Sequence, residues 1–149
     1  MMTQSVIDKQ VRHYIYEFFV KTGYAPTLNH CAQVLSCPPA KIHEVYQRLE
    51  HGRALVLQSN GEILMAEPFS AVPTAFVVEI GNHTWWGNCI WDALGIIAML
   101  KEDGRIVTAC GCCNDAMQVE IRNGQLADVS GCVHFAIPPI EWWKNVVFA

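Results

Sequence analysis

Basic charge, long apolar runs and repeated segments are all scarce in this sequence. Ten lysines and arginines face 14 aspartates and glutamates, a formal charge of −4. Phosphate recognition needs a basic face, so this balance argues against a nucleic-acid partner. The longest apolar stretch, residues 85–100, is interrupted by Asn88, Asp92 and two glycines. That is too short and too broken for a membrane span. No basic segment leads into an apolar one at the N-terminus, so no secretory signal is visible and a cytoplasmic location is expected.

What is present is apolar and rich in thiols. At 52% hydrophobic and 16% charged residues, the composition is that of a globular chain and not a disordered one. Its 149 residues suffice for one compact core or for two small modules packed together. Seven cysteines are many and odd in number. In a reducing compartment this usage points to metal or thiolate chemistry ahead of disulfides.

The patterning predicts an α+β chain. Residues 5–20 place Ile7, Val11, Tyr14, Ile15, Phe18 and Phe19 at helical spacing up to Gly23. Thr27 is positioned to cap a second helix through Leu35, and Pro39 to open a third that ends at His51-Gly52. Residues 54–57 and 62–66 flank Asn60-Gly61, a hairpin signal. Residues 1–66 therefore read as a three-helix, winged-helix-like module. Its third helix mixes Lys41 and Arg48 with Glu44 and Glu50, which favours a structural or substrate-covering role over DNA binding. Residues 67–73, with two prolines, read as a linker. Residues 67–149 read as a small mixed sheet packed on helices. Strands are expected at 76–80, 106–109, 117–122, 126–129 and 133–137, a buried helix at 85–100, and a last helix opened by Pro138-Pro139.

Within that second half, Cys89 and Asp92 stand three apart in the expected helix and so share a face. A thiolate suits a soft metal, and a carboxylate in apolar surroundings holds a transferable proton. A buried structural cysteine beside a capping aspartate fits the same spacing. Cys110, Cys112 and Cys113 form a dense thiol turn able to coordinate a structural or bound soft metal, although the spacing matches no standard zinc pattern. Cys132 and His134 alternate on the expected strand and would extend such a set. Cys31 and Cys37 read as small buried hydrophobes, and the Trp85-Trp86 and Trp142-Trp143 pairs as core.

Taken together, Trp85 or Trp86 followed by Cys89-Ile90-Trp91-Asp92-Ala93-Leu94 resembles the catalytic helix of the organomercurial (alkylmercury) lyase family. The segment Pro68 to Pro73 resembles the family's join between its helical module and its lyase core. Residues 106–110 resemble the strand ending in a family cysteine, and Val133-His134-Phe135 with Trp142-Trp143 resembles the family's His-Phe strand and following helix. The resemblance implies an alkylmercury-lyase-like core that cleaves carbon–mercury bonds by protonolysis, releasing a hydrocarbon and Hg(II) as bound product. It implies Cys89 as first thiolate and Asp92 as proton donor, with Trp86, Ser130 and His134 lining the substrate site. No cofactor is required, and small thiols or a mercuric-ion acceptor protein remove the ion. The family's second mercury-binding cysteine falls at Ser130 here, so Cys132, or one of Cys110, Cys112 and Cys113, would supply that sulfur. A non-catalytic soft-metal binder (mercury, copper or zinc) on the same fold is the alternative. The chain stops soon after Trp143, where the family's members continue. This implies a more open site or one closed by a partner subunit.

Overall fold

The computed structural model describes residues 4–127 and 131–144. Three helices come first: α1 (Gln4–Thr22), α2 (Leu28–Val34) and α3 (Pro39–His51). The buried stripe of α1 is Val11, Ile15 and Phe19, one residue per turn, and α3 buries Ile42, Val45, Tyr46 and Leu49 at matching helical spacing. Thr27 caps α2 as expected, its hydroxyl accepting from the His30 N–H at 3.1 Å. Cys31 is fully buried and Cys37 half-buried.

The hairpin predicted after α3 forms as β1 (Val56–Leu57) and β2 (Ile63–Ala66), and a third strand, β3 (Phe69–Ser70), pairs antiparallel with β2. The prolines at 68 and 73 do not exclude regular structure between them, because β3 lies at the edge of this sheet, where a proline beside the strand disrupts no ladder.

The second sheet runs β5-β4-β6-β7-β8, built from β4 (Val77–Ile80), β5 (His83–Trp86), β6 (Gly104–Ala109), β7 (Ala116–Arg122) and β8 (Gln125–Leu126). All its pairings are antiparallel. One register row crosses four strands through Trp85, Val78, Ile106 and Val119. α4 (Ile90–Leu100) packs on β4 and β6 with Ala93, Ile96 and Ile97 buried.

Several expectations are corrected here. The helix predicted over 85–100 begins only at Ile90, since Trp85 and Trp86 belong to β5. Aromatic residues suit a pleated, half-buried strand, and pairing with Val77 and Val78 claims them. Residues 131–138 form no strand despite their β-rich composition, so Cys132 and His134 do not share a strand face. Both are exposed, with no neighbouring strand among the described residues to order them. The predicted strand at 126–129 is seen only as far as Leu126; Asp128, Val129 and Ser130 lie outside the described residues. The last helix is a 3₁₀ segment, Pro139–Lys144. There Trp142 is half-buried and Trp143 exposed, while Trp85 is core as expected.

A single hydrophobic cluster joins the helices to both sheets. Phe19 stacks on Phe69 with ring centroids 5.1 Å apart, and the Trp85 indole N–H donates to the Phe19 carbonyl at 2.8 Å. Full burial of an aromatic such as Phe69 contributes about 1.5–3 kcal/mol. These contacts seat the helices against the place where β5 hands over to α4.

Candidate functional site

That handover positions Cys89. The strand β5 ends at Trp86, Gly87 bridges to Phe69 of β3, and the Gly87 N–H donates to the Phe76 carbonyl at 3.0 Å. A Cβ at Gly87 would stand 2.7 Å from the Ala93 nitrogen, so only glycine lets the first turn of α4 come this close. Cys89 is therefore the N-cap of α4, in extended conformation, and Asp92 is the third residue of the helix. The pair expected on a helix face is instead a cap and its first turn. It still meets: the Cys89 thiol donates to Asp92 Oδ2 at 3.5 Å.

Asp92 has a second acidic neighbour, Glu67, from the segment read as a linker. The Tyr16 hydroxyl donates to the Glu67 carbonyl at 2.6 Å, and Pro68 packs toward Gly95 of α4. The Glu67–Pro68 peptide bond is cis. The Asn88 amide donates to the Pro68 carbonyl at 3.4 Å. The turn between β2 and β3 and the start of α4 thus bring Glu67, Asp92 and Cys89 into one partly buried group.

Burial dominates its electrostatics. It pushes the Cys89 thiol up to about 11, against the N–H groups of Asp92 and Trp91 that favour the thiolate. Burial, then the charge of Asp92 and a hydrogen bond to it, lifts Glu67 to about 7. Asp92 is raised by burial, but hydrogen bonds from Glu67, Cys89 and Asn88 hold it back. Burial raises both carboxyls, each acting on the other, and Asp92 accepts from the Cys89 thiol.

The other cysteines lie apart from this group. Cys110, Cys112 and Cys113 sit in the turn between β6 and β7, their sulfurs within 4.8 Å of one another, and Cys89 is not among them. The N–H groups of Cys112 and Cys113 donate to the Cys110 sulfur and draw its thiol down to about 7. Cys132 and His134 are exposed in the irregular segment, and Trp86 is half-buried at the end of β5 against Tyr24. Ser130 lies outside the described residues.

Glu67 was not legible in sequence. A carboxylate beside a proline, in a segment that reads as a linker, carries no local sign of a partner 25 positions away.

Among curated proteins, none matches the chain significantly. The crystal structure of the mercury-bound form of MerB2 superimposes with a TM-score of 0.64 at 22% identity, over 82% of this chain. The match spans 60% of that structure's length, and the likeness is one of fold. The family model for MerB, alkylmercury lyase, matches residues 69–149, more than half of the chain and the whole of α4 with Cys89 and Asp92. On that match, the chain belongs to the alkylmercury lyase family.

Proposed function

We propose that this protein cleaves organomercurials by protonolysis, with Cys89 as the first thiolate and Asp92 as the proton carrier. The observation that carries this reading is the Cys89 thiol donating to the partly buried Asp92 carboxylate at 3.5 Å. The thiol is held protonated, so mercury binding must displace its proton, and Asp92 is the acceptor in reach. The sulfur then bonds to mercury while Asp92 carries that proton. When the carbon–mercury bond breaks, its electron pair takes the proton from Asp92, forming the hydrocarbon and regenerating the carboxylate. Mercury is left as Hg(II) bound by sulfur.

Glu67, raised by burial and by Asp92, stands beside Asp92 through the cycle. Cys132 is our candidate for the second thiolate, and Trp86, Ser130 and His134 for contacts to the organic group. External small thiols or a mercuric-ion acceptor protein would remove the product. The helical module covers the site and does not bind nucleic acid in this reading. In support, Tyr16 reaches Glu67, and the basic groups of α3 are paired within the chain, Arg48 with Asp8 at 2.6 Å and Lys41 with Glu44 at 2.7 Å.

A second reading, soft-metal binding without turnover, is favoured by the separate cluster of three thiols. Incubation with an arylmercurial and excess small thiol separates the two. Arene release above the thiol-only control, lost in Cys89→Ala and Asp92→Ala, is expected. Mercury retention without arene would support the second reading instead.

A further inference from the structure

The turn between β6 and β7 is closed at its base. The Cys110 N–H donates to the Asp115 carbonyl at 2.8 Å, and the Asn114 N–H donates to the Cys110 carbonyl at 2.9 Å. Asn114 adopts a positive φ of 61°, which folds the chain back, and Ala109 pairs with Ala116 directly beneath. Three thiols therefore converge because the backbone makes them converge. All three are free; Cys112 and Cys113 face solvent and Cys110 is half-buried.

The spacing fits a metal ion. Three sulfurs placed about 2.3 Å from a central ion, in a trigonal plane, stand about 4 Å apart. The observed sulfurs lie within 4.8 Å of one another, so rotations about Cα–Cβ bonds close the difference. Thiolates select soft ions over the hard divalent cations. Asp115, which accepts from the Cys113 sulfur at 3.2 Å, gives up that contact when the thiol loses its proton to a metal.

We propose that Cys110, Cys112 and Cys113 form a second soft-metal site, distinct from Cys89, that takes one Hg(II) as a three-thiolate complex. The three thiols release three protons to solvent, and three sulfur–mercury bonds form. No electron transfer is involved.

The topology sets this site near the first. Strands β5 and β6 flank β4 and run the same way, with Trp86 and Val107 both opposite Val77. Three residues beyond that row, β5 leads to Cys89 and β6 to Cys110. The two thiol positions leave the same end of the sheet from strands two spacings, about 10 Å, apart.

The test uses the full chain carrying Cys89→Ser, so that only the second site is read and arene chemistry plays no part. Protein is loaded with Hg(II) chloride under excess reduced glutathione and gel-filtered. Retained mercury is counted, and its sulfur shell is measured by X-ray absorption. One mercury per chain with three sulfurs is expected. Adding Cys112→Ser and Cys113→Ser, both at exposed positions, should lower retention at least about tenfold, as chelation by linked thiols is lost. Unchanged circular dichroism would show the fold intact. A smaller fall, no retained mercury, or a shell of two sulfurs overturns the proposal. None of these outcomes bears on arene release by the unmodified protein.

Discussion

Glu67 and Asp92 together place two carboxyl groups where the fold has room for about one negative charge. The pH dependence of stability follows from the direction of the shift. In the unfolded chain Glu67 ionises near 4.5, whereas in the fold it keeps its proton until about 7, first because of burial and then because of Asp92. A raised carboxyl stabilises the fold below the unfolded value, and that contribution is lost as pH rises through the folded one. The raised Asp92 acts in the same direction. Stability should therefore fall by about 2 kcal/mol between pH 4.5 and 7, after allowance for solvent screening at the group's open edge. Urea midpoints measured across that range check it. Glu67→Gln, which keeps a hydrogen-bond donor but cannot ionise, should remove most of the slope; an equally steep slope in that variant would count against the pairing.

At the scale of elements, the join between β5 and α4 decides where the thiol stands. A methyl group at Gly87 meets the backbone of Ala93 at 2.7–2.9 Å, and neither side has a flexible end to give way. Gly87→Ala should cost about 1–3 kcal/mol, read as a lower thermal or denaturant midpoint. It should also lower the rate of Cys89 modification by an organomercurial, because the cap moves with the helix. A wild-type midpoint and rate would show that the close approach is unimportant.

This join also shows what sequence patterning could reach. The Cys89–Asp92 pairing was legible because three-residue spacing brings side chains together both along a helix and across its first turn. The boundary was not legible. The run from Trp85 to Leu100 is apolar on both sides of Gly87, and only pairing with β4 separates strand from helix. At Val133 to Ile137 the reverse happened, as β-favouring residues found no partner strand. Asn123-Gly124, with φ of 53° and 72°, turns β7 into β8 through a signal local to the two residues. Glu67 depended on a contact across the fold, for which no local pattern exists.

On the scale of the whole molecule, the helices and the family-matched core share their buried interior. Phe19 on Phe69 and Trp85 on the Phe19 carbonyl cross between them, and Tyr16 on the Glu67 carbonyl ties α1 to the segment just before that core. Gly23, with φ of 78°, comes so close to the Thr84 carbonyl that a Cβ there would stand 2.5 Å from its oxygen, so the end of α1 is pinned to β5. The acid pair thus depends on contributions from both halves of the chain. No α-helix is long and apolar enough to cross a membrane among the described residues.

The central claim is that this chain carries its own proton path from the Cys89 thiol through Asp92 to carbon. A single-turnover experiment with equimolar arylmercurial and no external thiol tests it most directly, reading released arene and protein-bound mercury together. Close to one arene and one bound Hg(II) per chain are expected for the unmodified protein. In Asp92→Asn, the intact arylmercury group should remain on the protein, with arene formation slowed at least about a hundredfold. Arene released from Asp92→Asn at the unmodified rate, or none released by the unmodified chain, would contradict it.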